Sequence, residues 1–190
     1  MSNNIKAIIF DFMGVLLLKR QDYVSSPIVD AIDKEIGQVT NDVIFKQQIM
    51  EKYQLSKMDF EKILEKIDEK YEVNEDLWKL LPDLRNMYKL AIINNGTVLT
   101  LPMFDKSYDI KGNFDLYVNS AIEGVKKPDP KIYLLTAKRL EVTADECLYM
   151  DDQIENVTAA EKLGMKGIWW KDKEAGMRKF LEFVNRDKSI

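Results

Sequence analysis

Five short apolar runs recur along the chain, at Lys6–Phe10, Leu90–Ile93, Leu116–Val118, Cys147–Met150 and Gly167–Trp170. Their apolarity is continuous rather than alternating, which suits strands of a parallel sheet covered on both faces. Helical periodicity fills the later gaps. Asp129-Pro130 supplies an N-cap and a first-turn proline for a helix through Leu140. Ile154–Leu163 is periodic and stops at Gly164, and Met177, Phe180, Leu181 and Val184 recur at helical spacing within Ala175–Val184. Strands alternating with helices predict right-handed crossovers and an α/β fold, a doubly wound parallel (Rossmann-like) sheet.

The first gap breaks that rhythm. Roughly eighty residues separate Phe10 from Leu90, where a crossover needs about a dozen. The excess reads as helices. One is opened by Ser26-Pro27 and ended by Gly37, with Ile28, Ile32 and Ile36 on one face; another runs near Asp42–Tyr53. A third opens with Ser56-x-x-Asp59, close to a capping box, and carries Phe60, Ile63, Leu64, Ile67 and Tyr71 as its apolar stripe. Asn74–Leu81 predicts a fourth, and Pro82 starts a separate helix. The pattern predicts a helical cap domain, residues 19–81, inserted into a core domain made of residues 1–18 and 82–190.

Composition narrows the chemistry. The chain has 190 residues, 46% hydrophobic and 32% charged, enough to bury a sizeable core. No apolar run approaches the roughly 20 residues that cross a bilayer, so no membrane partner is expected. The opening MSNNIK lacks the layout of a signal peptide. Cys147 is the single cysteine, which predicts a reducing, cytoplasmic setting, and its place in ECLYMDD reads as core packing. A net charge of -4 offers no basic surface for nucleic acid. The histidine count is zero, which removes Ser-His-Asp and Cys-His sites, His-ligated zinc and His acid–base chemistry. Catalysis is left to carboxylates, lysine, hydroxyls, backbone amides, or a hard metal held by oxygen.

Ligands of open parallel sheets bind beyond the C-terminal ends of strands. Asp11 follows the first predicted strand, Asn94-Asn95-Gly96 the second, and Asp151-Asp152 the fourth; Lys127-Pro128 precedes the Asp129 helix. Each has a plain alternative: a turn residue, a tight turn, an N-cap for Asp152, a solvated lysine. Together they make a chemical set. Carboxylates at Asp11 and Asp152 can hold Mg²⁺, which favours oxygen ligands. Asp11 can attack a phosphorus or carbon electrophile, and Lys127 with the amides around Asn95 and Gly96 can offset charge on the transferring group.

In this order the segments resemble the haloacid dehalogenase superfamily over nearly the whole chain. The most specific are GVKKPDPKIY and LYMDDQIENVTAAEKLGM, and the inserted helices look like the C1-type cap of the small-phosphatase branch. The resemblance implies Asp11 as nucleophile, Lys127 as charge-stabilising lysine, and Asn94, Asn95, Gly96 and Lys127 around a phosphate. It also implies a Mg²⁺ site at Asp11, Asp152 and the backbone carbonyl of Met13, supported by Asp151, and a small phosphorylated substrate. Two positions depart from the family pattern. Where its phosphatases carry a second Asp, which protonates the leaving group and activates water, this chain has Met13; where they carry Ser or Thr, it has Asn94. Met13 marks a degenerate phosphatase, an altered reaction or an introduced substitution. Three functions follow: a slow Mg²⁺-dependent phosphatase, a pseudoenzyme that binds without turnover, or a metal-independent dehalogenase-type hydrolase.

Overall fold

In chain order the strands are β1 (Ala7–Asp11), β2 (Leu17–Lys19), β3 (Tyr71–Val73), β4 (Lys89–Asn94), β5 (Leu116–Asn119), β6 (Cys147–Asp151) and β7 (Lys166–Trp169). The structure is a computed structural model and describes residues 4–24 and 26–187, so the start of the MSNNIK segment lies outside the described residues. Five strands form one parallel sheet in the order β5-β4-β1-β6-β7. All five predicted runs are its strands, within one or two residues.

Side chains along the three central strands alternate between two buried clusters. Ile8, Phe10, Leu90, Ile92, Leu148 and Met150 face one cluster, with Leu81, Leu84, Phe104 and Phe180 of the covering helices. Ala7, Ile9, Ala91, Ile93, Cys147 and Tyr149 face the other, with Ile132, Tyr133, Ala137 and Ala160. Each such large aliphatic or aromatic side chain contributes about 1.5–3 kcal/mol by leaving water. Two-sided burial is why the strands read as unbroken apolar runs. The Cys147 thiol sits in this core, donates to the Thr143 carbonyl at 3.4 Å, and burial raises its pKa to about 12. It is packing, not chemistry.

The insertion folds as α1 (Pro27–Ile36), α2 (Asp42–Lys52) and α3 (Lys57–Glu69). Ser26 and Asn41 cap the first two, and Ser56 with Asp59 completes the capping box of the third. Val29, Ile32, Phe45, Ile49, Phe60, Ile63, Leu64 and Ile67 form a separate core. Lys70, at the end of α3, is buried and bonds Asp30 at 2.7 Å and Asp33 at 2.5 Å, while Tyr71 donates to Asp33 at 2.8 Å. That ion cluster ties α1 to α3. The antiparallel pair β2–β3 makes the neck between insertion and sheet. Beyond it, Leu77 and Leu81 pack in the sheet's own core, so the helical segment Glu75–Trp78 belongs with the sheet by packing. Among the described residues no helix is long and apolar enough to cross a membrane.

Candidate active site

Register brings the polar strand ends together. Asp11 pairs with Ile93 and Phe10 with Met150, so the next residues, Asn94 on β4 and Asp151 on β6, flank Asp11 at the same sheet edge. Above this edge a cavity of about 560 Å³ lies between sheet and insertion. Its walls include Asp11, Met13, Asn94, Asn95 and Lys127 below, and Asp33, Lys34, Ile36, Gln38, Ile67 and Tyr71 from the insertion.

Lys127 is buried, and its ammonium has three acceptors: Asp11 Oδ1 at 2.5 Å, Asp151 Oδ2 at 2.8 Å and the Ile93 carbonyl at 2.9 Å. All three N–H donors are therefore satisfied. Burial works against the charge, but Asp11 and Asp151 outweigh it and hold the ammonium above its ordinary pKa. The Lys127-Pro128 peptide is cis, and Asn95 fixes this loop from the side. Its Oδ1 accepts the Lys127 amide at 2.8 Å and its Nδ2 donates to the Lys127 carbonyl at 3.0 Å. Asn95 thus supports the lysine.

Asp11 Oδ1 also accepts the Phe12 amide at 2.7 Å. Burial first, then the Asp151 charge, pushes the Asp11 carboxyl well above its usual range against the pull of Lys127. The same two causes, in the same order, raise Asp152. Asp151 is wholly buried and takes four donors: Lys127, the Tyr149 hydroxyl, Asn156 Nδ2 at 3.0 and 3.1 Å, and the Gln153 amide at 2.8 Å. Burial and the Asp151 charge keep the Tyr149 phenol protonated, as a donor must be. Asp152 differs from its neighbour in being exposed, and the helix that follows is N-capped by Gln153 instead. Trp169 Nε1 donates to the Asp152 carbonyl at 2.9 Å.

Carboxylate oxygens of Asp11, Asp151 and Asp152 lie within 4.8 Å of one another. Three carboxylates beside one ammonium leave the cluster short of positive charge, which adds to burial in pushing two of the carboxyls up. An oxygen donor set of this sign suits a hard divalent cation. Gly14 brings the backbone against it. Its φ of 91° is a conformation side chains resist, and a Cβ there would lie 2.6 Å from Asp152 Oδ2. The Met13-Gly14 backbone is thereby seated beside Asp152.

Other expected groups are otherwise engaged. Asn94 Nδ2 donates to the Tyr117 hydroxyl at 3.1 Å, and the Gly96 amide donates to Ser120 Oγ at 2.9 Å. Ser120 and Asp42 lie in no motif, whereas Tyr149 and Asn156 fall inside LYMDDQIENVTAAEKLGM with no role read for them from the sequence.

Comparison with known proteins gives the family. Among curated proteins, a sesquiterpene phosphatase of Aspergillus oryzae is 32% identical over 91 residues, 46% of this chain and 46% of that protein. A glyceraldehyde 3-phosphate phosphatase of Pyrococcus abyssi is 35% identical over 95 residues, 49% of this chain and 40% of that protein. The matched stretches span less than half the length of these relatives. Among solved structures, a HAD family enzyme of Bacteroides thetaiotaomicron, crystallised with magnesium and inorganic phosphate, has a TM-score of 0.70 at 17% identity. That match covers 87% of this chain and 93% of the other. A 2-haloacid dehalogenase of Pseudomonas syringae gives 0.65 at 18% identity, covering 87% of this chain and 86% of the other, so both likenesses speak for the fold alone. A model of the haloacid dehalogenase-like hydrolases matches residues 5–164, and the chain belongs to that family.

Proposed function

We propose that this hydrolase is a Mg²⁺-dependent phosphatase of small, polar phosphoesters, slowed at its hydrolytic step by Met13. The observation that carries the reading is the Asp11 carboxylate, at the end of the central strand on a cavity floor, ion-paired to Lys127 at 2.5 Å and clustered with Asp152. With Oδ1 held from two sides, Oδ2 is the oxygen left to attack phosphorus. The new Asp11–phosphorus bond forms as the ester bond breaks, and the leaving oxygen takes up a proton. Lys127 offsets charge on the transferring group. Water then attacks the acyl phosphate and frees Asp11. The Met13 thioether can neither give the first proton nor take the second.

Mg²⁺ would be held by Asp11, Asp152 and the Met13 carbonyl, and would neutralise phosphoryl oxygens as a Lewis acid. Asp151 has its oxygens committed to four donors, so its part is to orient Lys127 rather than to ligate directly. Lys34, Gln38 and Lys126 on the cavity wall support a polar leaving group, alongside the apolar Met13, Ile36, Ile67 and Pro128. The acidic pair Asp151-Asp152 weighs against attack at carbon without metal, and Met13 is the one feature that favours a non-turning binding protein.

Mg²⁺ should bind despite Met13, since the ligand at that position is a backbone carbonyl. Calorimetric titration should give one Mg²⁺ site that Asp152→Asn abolishes; binding unchanged in that variant would remove Asp152 from the site. Phosphate release from an aryl phosphate should need Mg²⁺ and be lost in Asp11→Asn. Phosphate binding without release would assign a binding protein, and metal-independent halide release a dehalogenase.

A further inference from the structure

We propose that Ser120 and Asp42 clasp the insertion onto the loop after β4, so that closure of the cap sets the position of Lys127, with Ser120 a positioning residue. Its catalytic consequence rests on the phosphatase reading; its structural part is tested without turnover.

The segment between α1 and α2 carries the joints. Val39 buries its side chain in the insertion's core, and its carbonyl accepts the Ser120 hydroxyl at 2.5 Å. Ser120 Oγ in turn accepts the Gly96 amide at 2.9 Å. Ser120 is wholly buried, where a polar group left unpaired is destabilising. A hydroxyl has one proton to donate. The Gly96 carbonyl lies 3.4 Å from the same Oγ, a second acceptor available when Val39 withdraws. The hydroxyl thus has a second acceptor within reach on the loop itself.

Asp42, the first residue of α2, makes the second joint. Its carboxylate accepts the Thr97 hydroxyl at 2.5 Å and the Val98 amide at 3.1 Å. Lys126 to Gln38 adds a rim contact, which in solvent contributes little. Both strong joints land on Gly96–Val98, continuous with Asn95. Asn95 clamps the Lys127 backbone from both sides, and the Lys127 ammonium holds Asp11. An unbroken series of bonds thus runs from the insertion to the nucleophile.

Amide-resolved hydrogen exchange on the metal-free, substrate-free chain tests this. In Asp42→Ala, exchange should rise about tenfold at the Gly96 and Lys127 amides, neither of which Asp42 touches. Thr97→Val, nearly isosteric, should give the same pattern with smaller size. Coupling free energies are reciprocal, so Ser120→Ala should raise exchange at Val98. Amides of β1 and β6 should not change. A rise confined to Val98 and Leu99, or a uniform rise that includes β1, would overturn the coupling and leave these residues as fold supports. Because no turnover is read, a failed coupling and a failed phosphatase assignment are separate results.

Discussion

Met13→Asp is expected to raise steady-state turnover of an aryl phosphate by roughly 10²–10⁴-fold, the span that a positioned acid–base group contributes. That corresponds to about 3–5 kcal/mol of barrier. The Met13 side chain lines the cavity that Asp11 floors and packs on its other side against the sheet's core. A carboxylate there would face the cavity two residues along the chain from Asp11. It would return a proton acceptor for the attacking water and a proton for the leaving oxygen. The added charge joins three carboxylates within 4.8 Å, so the gain should appear only in Mg²⁺-loaded protein. An unchanged rate in a folded, metal-loaded variant would contradict the claim that Met13 limits the reaction by lacking acid–base chemistry.

Lys127→Met should be the most damaging single change, in stability as well as in phosphoryl transfer. Lys127 has 3% of its surface exposed, and its ammonium is the cation that separates Asp11 from Asp151. Removing it leaves two buried carboxylates facing each other, and breaking a buried pair in this way costs about 3–5 kcal/mol. For a chain of this size that is a fall in Tm of roughly 6–20 °C. Mg²⁺ should restore part of the loss by binding the folded state. Thermal unfolding with and without Mg²⁺ reads both effects. A fall of only a degree or two would mean that Lys127 is not the counter-charge of the cluster.

Much of this was legible in the sequence because it is written in periodicity. Two-sided burial made the sheet strands continuous apolar runs, and Ser56-x-x-Asp59 announced a capping box that the structure forms. Strand-end placement pointed to Asp11, Asp151 and Asp152, and the structure brings these together with Lys127 from the loop before the Asp129 helix. The neck strands β2 and β3 were not legible, since three residues each cannot display a period. Nor were the roles of Asn94, Asn95 and Gly96 in detail. Their partners Tyr117, Lys127 and Ser120 lie 23, 32 and 24 residues away, and tertiary packing alone brings them in. Asp151 and Asp152 are adjacent and chemically identical, yet one is enclosed by four donors and the other faces solvent; a sequence carries no mark of that difference.

The central claim is that Asp11 is a phosphoryl acceptor whose ester is slow to hydrolyse. With an aryl phosphate the leaving group needs little protonation, so the first step keeps its nucleophile while the second has lost its base. Rapid quenching of Mg²⁺-loaded protein, followed by mass spectrometry and peptide mapping, measures this directly. The account predicts one added phosphoryl group on Asp11, absent in Asp11→Asn, with a burst of phenol preceding slow turnover. Bound Mg²⁺ with neither adduct nor burst would contradict it, and would make this chain a binding protein built on a hydrolase fold.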